Sequence, residues 1–471
     1  MATAIRGKKN FTEGPIFFRL LLFTIPIILT GLLQITYNMA DNIVVGNFSG
    51  DSQALAAVGQ TGTYNSFVVN LILGLSTGAG VVVAQAFGAN RKEDLSRAIH
   101  TSVLLSVIMG VFFLIVGLLV TRPILAFIVK PELLDKSVLY MTVICFGFPA
   151  SSVYNFGASA LRSLGDSKRP LIILGLSGLI NVGLNLIFVI AFHMSIVGVA
   201  LATIASQYAS AIAVIVLLFK SKDDSSRVSF SKLKIDRRSL KRILYCGIPA
   251  AVQSSIFSFA NMILTRSIST FPVETVTANT IAGNIDGITY TCMNSFTAAA
   301  LTFSGQNYGA VKKKRLLKVF IYSVIQVTVI GILIAQLQLL FIDPIASLYM
   351  SADTVNKDVV LSETFVIAES VLTFYFLAGI MNVVSGFLRG LGYSTAPMLT
   401  SVLGVVVLRF TWIFVFFPMH SDSVAWLYLC FPITWIGTLI MDVFVLIHAY
   451  KRVNSMPEKT EQTEVPAPVL K

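Results

Sequence analysis

Charge is what this chain has least of. Asp, Glu, Lys and Arg make up 12% of its 471 residues, while 55% are hydrophobic and the mean hydropathy is +0.80. Soluble domains carry roughly 25% charged residues, so a water-soluble globular chain is excluded. Cysteine is nearly as scarce. Cys145, Cys246, Cys292 and Cys430 stand singly in apolar stretches, without the paired spacing of a disulfide framework or a thiolate metal site. The four histidines, His100, His193, His420 and His448, are equally dispersed, and no metal is expected. The nucleotide-cradling Gly-x-x-x-x-Gly-Lys-Ser/Thr is missing, and so are His-Glu-x-x-His and a serine elbow. ATP hydrolysis and enzymatic catalysis are therefore not expected, and no cofactor is implied. The glycine-rich run Gly74-Leu-Ser-Thr-Gly78-Ala-Gly80 lies inside an apolar segment and lacks the lysine. It reads as close helix packing.

What the chain has in abundance is long apolar runs. Each is about 20 residues or more, enough to cross ~30 Å of hydrocarbon as a helix. Twelve spans are predicted: 17–45, 53–84, 98–121, 138–160, 170–192, 196–219, 243–268, 273–304, 317–342, 361–387, 397–417 and 423–449. The first is too long for a removable signal peptide, and no small-x-small cleavage site precedes a polar mature region. The fold class is thus an all-α integral membrane protein, with the lipid bilayer as its first partner. Net charge is +12, which could suggest nucleic acid, but 29 of the 35 Lys and Arg fall in alternate connections. By the positive-inside rule those connections, and both termini, are cytoplasmic. The tail from Asn454 has little to bury and is expected to be disordered.

The two halves repeat. Leu161-Arg-Ser-Leu-Gly-Asp-Ser-Lys-Arg-Pro170 returns as Leu388-Arg-Gly-Leu-Gly-Tyr-Ser-Thr-Ala-Pro397, an offset of 227. Gln85, Gly88, Ala89 and Lys92 return as Gln306, Gly309, Ala310 and Lys313 at 221, and Ile25-Pro26 and Asn38 as Ile248-Pro249 and Asn261 at 223. An even number of spans per half makes this a parallel repeat, with a substrate cavity expected between the halves. The domains read as a cytoplasmic N-terminus 1–16, a six-helix lobe 17–219, a charged linker 220–242, a second six-helix lobe 243–449 and the tail 450–471. In the repeated turn, Arg and Gly suit a helix C-terminus, and the Pro five residues on starts the next helix.

Ionisable groups at membrane depth are few and costly, and they mark function. Gln34, Tyr37, Asn38 and Asp41 form one stripe on span 1. Asn181 and Asn185, four apart, share a face of span 5. In the second half Asp286 lies mid-span, Glu369 near the outer rim and Asp442 near the inner interface. Arg409 is the one base at mid-depth, and an ion pair with Asp286, direct or through water, is expected.

The Pro26–Asp41 stretch, Gln85-Ala-Phe-Gly-Ala89 with Gln306-Asn-Tyr-Gly-Ala310, and both Leu-Arg-x-Leu-Gly turns together resemble the multidrug and toxic compound extrusion (MATE) family across 12–450. The resemblance implies two lobes with alternating access. It implies export of amphipathic cations in exchange for H⁺ or Na⁺ by a monomer in the plasma membrane. In one branch of the family an Asp on helix 1, Asn and Asp on helix 5 and a Thr on helix 6 hold the coupling cation. Here those positions read Asp41, Asn181, Asn185 and Thr203, so an amide replaces the second acid, which favours H⁺ over Na⁺. Another branch uses acids on helices 7 and 10. Here no acid lies between Pro249 and Arg266, and Ala378 stands at the helix 10 position. Gln34, Tyr37, Asn38, Asp286 and Arg409 are expected to face substrate. A lipid-linked oligosaccharide flippase of the same superfamily is the alternative, and it would call for a more basic cavity.

Overall fold

A computed structural model describes residues 10–48, 53–350, 356–421 and 423–456, which form helices joined by short connections and, among the described residues, no strand. The tail expected to be disordered falls mostly on 457–471, outside the described residues.

Twelve helical spans follow the predicted order. Among the described residues nine helices are long and apolar enough to cross a membrane, and a pair bent by 47°, Pro131–Cys145 with Phe148–Ser163, makes a tenth. The remaining two are Arg237–Ile268 and Val273–Gly309, of 32 and 37 residues. At 1.5 Å per residue each exceeds ~45 Å and suffices to cross. Large apolar side chains point outward along the spans, among them Leu119, Leu179, Ile212, Leu333 and Phe444. Hydroxyls and amides point inward. That is the arrangement lipid imposes, since a hydroxyl in hydrocarbon must find a partner. Many return to the carbonyl four residues back, as Thr30 does to Pro26 at 2.7 Å and Ser323 to Val319 at 2.7 Å.

The chain divides into two compact units: residues 1–10 with 25–251, and residues 11–24 with 252–471. Residues 220–242 therefore lie wholly in the first unit, and the start of span 1 belongs to the second. In the first unit the second piece of span 4 packs on spans 2, 3 and 6, and spans 5 and 6 pack together. In the second unit Tyr375–Gly390, the inner piece of span 10, packs likewise on spans 8, 9 and 12. Each unit thus has the same plan.

Glycine permits the closest approaches. A Cβ on Gly74 or Gly78 of span 2 would collide with the backbone at Ala251 and at Ile243 and Gly247, so this glycine run is indeed a packing seam. The two repeated turns have one geometry. Gly165 (φ +86°) and Gly392 (φ +97°) take the left-handed conformation, and Asp166 N–H and Tyr393 N–H reach back to Leu161 O and Leu388 O, each at 2.9 Å. This closes the helix in the Schellman manner. The linker is pinned to span 3: Ser229 N–H donates to His100 Nε2 at 3.1 Å and Asp236 N–H to Thr101 Oγ1 at 3.0 Å. His100, whose Nδ1 bonds Ser96 O, is accounted for structurally.

Candidate functional site

Span 1 (Ile16–Phe48) carries the polar stripe into the first unit. Gln34 and Asn38 reach its surface, Tyr37 is half-buried, and Asp41, one turn beyond Asn38, turns inward. The Tyr37 ring lies flat on Gly178 of span 5, where a Cβ would fall inside the ring, and its hydroxyl donates to Leu174 O at 3.3 Å and Gly175 O at 3.2 Å. Glycine at 178 therefore sets how closely spans 1 and 5 approach.

Around Asp41 the structure brings together three side chains singled out in the sequence. Asn185 Nδ2 donates to Asp41 Oδ1 at 2.5 Å, short as expected of a charge-assisted bond. Thr203 Oγ1 lies 3.4 Å from Asp41 Oδ2, Asn181 Nδ2 lies 3.4 Å from Thr203 Oγ1, and Asn185 Nδ2 lies 3.4 Å from Asn181 Oδ1. A local distortion follows Asn185 along the chain. Span 5 runs α-helical to Leu186 and then opens into a π-helical turn, Ile187–Ala191, a break frequent at functional sites.

The hydrogen-bond count in this cluster does not close. Thr203 has one hydroxyl proton, and its best acceptor is Val199 O at 2.9 Å, which leaves the 3.4 Å contact to Asp41 without one. Asn185 Oδ1 is buried with no partner. Two oxygens, Asn185 Oδ1 and Asp41 Oδ2, are thus left without a well-formed donor, and no base pairs with Asp41 among the described residues. Such a set can accept one positive species, either a proton on the carboxylate or a hard cation among the oxygens. Tyr140, on the first piece of span 4, also stands within electrostatic reach of Asp41. Sequence reasoning missed it, because a tyrosine in an apolar run carries no distinguishing signal.

The second unit departs from expectation in two places. Arg409 and Asp286 form no direct ion pair. The guanidinium is 2% exposed, donates from Nη1 to Asn261 Oδ1 at 2.9 Å, and sits 4.4 Å above the Phe431 ring. Asp286 instead meets the Tyr375 hydroxyl, and its Oδ1 is buried without a partner. Tyr375 lies within electrostatic reach of both charges. Equal depth did not imply adjacency, because residues on spans 8 and 11 project from different helices. Asp442 faces protein: it is 1% exposed and accepts from Thr400 Oγ1 at 2.5 Å. The basic turn residue Arg389 is buried too, with its guanidinium bonded to Gln253 Oε1, whose Nε2 donates to Ser401 at 2.7 Å.

A family model described as MatE matches residues 26–187 and 249–415, most of both halves. A probable multidrug resistance protein YoeA of Bacillus subtilis is 25% identical over 82% of this chain and 83% of its own length. A probable multidrug resistance protein NorM of Thermotoga maritima is 25% identical over 90% of this chain and 89% of its own. A solved structure described as a crystal structure of MATE in complex with MaL6 superposes with a TM-score of 0.86 at 22% identity. It covers 95% of this chain and 99% of that one, a likeness of fold.

Proposed function

The chain belongs to the MATE family of membrane transporters, and from that premise we propose that it is a multidrug exporter driven by cation antiport, with Asp41 as the coupling residue. The supporting observation is the unclosed hydrogen-bond count around Asp41, where Asn181, Asn185 and Thr203 supply oxygens but no base supplies a charge. The coupling ion is a proton. With Asn185 in place of a second acid, one carboxylate is the only formal negative charge in the cluster, and a bound proton cancels it completely. A proton on Asp41 can also donate to Thr203, completing the bond that the hydroxyl's own proton leaves open.

The substrates are amphipathic organic cations. Asp286 lies within reach of Tyr290, Tyr375 and Tyr428, and a carboxylate among aromatic faces suits a bulky cation that keeps its charge. Gln34, Tyr37 and Asn38 provide polar contacts on span 1. The flippase alternative is less well supported, since Arg409 is buried against Phe431 and Asn261 rather than lining a basic surface. The protein works as a monomer in the plasma membrane with both termini cytoplasmic, as the basic connections suggest.

The test is uptake of a panel of cationic dyes into inverted vesicles under an imposed H⁺ or Na⁺ gradient, one at a time. Accumulation with the proton gradient alone is expected. Accumulation only with Na⁺ would replace the proton as coupling ion, and none with either would remove the antiport reading.

A further inference from the structure

The internal repeat allows the first unit's cluster to be located again in the second. Span 1 maps onto span 7 at an offset of 223, which places Leu264 opposite Asp41. Span 5 maps onto span 11 at 227 from Pro170 and Pro397, but span 11 contains a π-helical segment, Val402–Val407, before it reaches mid-depth. Such a segment holds one residue more than the α-helix it replaces, so the offset beyond it becomes 228. Both spans then carry one further π segment, Ile187–Ala191 and Trp412–Phe416, and the shift persists. On the last spans 228 aligns Ser195 with Ser423, Leu201 with Leu429, Ser206 with Thr434 and Ser210 with Thr438. The counterparts of Asp41, Asn181, Asn185 and Thr203 are therefore Leu264, Arg409, Ile413 and Phe431.

Contacts agree with this register. In the first unit Asn181 meets Thr203; in the second, Arg409 lies over Phe431. Asn261, which accepts from Arg409, is the repeat partner of Asn38 and lies three residues before Leu264 on the same helical face. Where the first unit has a carboxylate, the second has a leucine that is 6% exposed. Where the first unit has an amide, the second has a guanidinium that stays charged at any accessible pH. No acid lies within ion-pair distance of that guanidinium among the described residues, and its Nε is buried with no partner.

We propose that Arg409 is a tethered cation, held in the second unit at the position where the first unit accepts a mobile one. This rests on the reading of Asp41 as the coupling site. The ring of Phe431 and the amide oxygen of Asn261 solvate the charge from two sides. A second free cation is repelled from the same place, so the second unit takes no coupling ion and one carboxylate, Asp41, carries the whole exchange. The leucine at 264 and the base at 409 then act together: a fixed charge stands where the first unit has an exchangeable one.

The experiment counts cations per chain by binding of radiolabelled Na⁺ and by proton release on dye binding, using purified protein in detergent. The parent should hold one exchangeable cation and Asp41→Asn none. In the Asp41→Asn background, Leu264→Asp should add none, because Arg409 neutralises the new carboxylate. Leu264→Asp with Arg409→Asn should restore one. Equal counts with and without Arg409 would overturn the proposal. Thermal unfolding gives a second reading should the last variant fold poorly: Leu264→Asp should be more stable with Arg409 present than with Arg409→Asn, and the reverse order would also overturn it. A cation retained by Asp41→Asn alone would fault the first unit's site instead, and the Leu264 pair would still report on the second.

Discussion

Replacing Gly178 with alanine tests the geometry of the candidate site with a change of sign. In an unobstructed helix interior, Gly→Ala stabilises by about 1 kcal/mol, because glycine has more backbone freedom to lose. Gly183, on the same helix, has nothing within 4 Å of a built Cβ and should show that gain. At Gly178 the new methyl would enter the Tyr37 ring. The ring must then move and surrender its bonds to Leu174 O and Gly175 O. Overpacking costs about 1–3 kcal/mol, and loss of the one hydroxyl proton's bond, shared between the two carbonyls, adds about 0.5–1.5 kcal/mol. The net is a loss of at least ~0.5 kcal/mol, opposite in sign to Gly183→Ala. Thermal unfolding in detergent measures both, alongside dye efflux, which should fall for Gly178→Ala because Asp41 sits one turn from Tyr37. Adding Tyr37→Ala to Gly178→Ala should cost less than the two single changes summed, with a coupling of about 1 kcal/mol or more. A Gly178→Ala protein that gains stability as Gly183→Ala does would refute the packing argument.

Thr400→Val removes the donor to Asp442 and should cost about 1.5–3 kcal/mol, as for a hydrogen bond to a charged group; unfolding temperature checks it, and an unchanged value would mean the bond carries no stability. Asp236 sits just before span 7, where partial burial alone would raise its carboxyl, but hydrogen bonds from Ser239 and the charges of Arg97 and Arg238 hold it below the ordinary carboxylate range. A depressed acid stabilises above its unfolded pKa and loses that contribution as pH falls through its folded one. The protection factor of the Ser239 amide should therefore hold at neutral pH and fall only below about pH 4. A cysteine introduced at 223–235 should be labelled by an impermeant reagent from the cytoplasmic face alone, and one at Lys357 from the outside alone; labelling of both from one face would break the span count.

The fold was legible because its causes are written locally. Hydrophobic length set the spans, and the repeated Leu-Arg-x-Leu-Gly turn marked the halves; Gly165 and Gly392 then closed both turns with the same pair of hydrogen bonds. Asp41 stood out as the deep acid of the first half and Asn181 with Asn185 as a shared polar face, while their grouping with Thr203 came from the family resemblance. Where depth alone was the guide, partners could not be read. Arg409 and Asp286 make no direct ion pair, and Asp442, placed near the interface by its distance from Lys451, is buried against Thr400. Depth fixes one coordinate. Which helix faces which is decided by side-chain packing, and by single-residue register shifts such as the π segment ahead of Arg409. Tyr140 was invisible for a related reason, since nothing in an apolar run says which tyrosine will meet an acid from another span.

The central claim is that one carboxylate couples ion movement to export. It is tested most directly by Asp41→Asn, reconstituted in proteoliposomes with a cationic dye and an imposed proton gradient. The amide keeps the size and the contact with Asn185 but can neither take nor release a proton. The variant should fold, insert and bind dye within a few-fold of the parent, yet accumulate none above the level reached without a gradient. Proton-driven accumulation at the parent's rate would contradict the account.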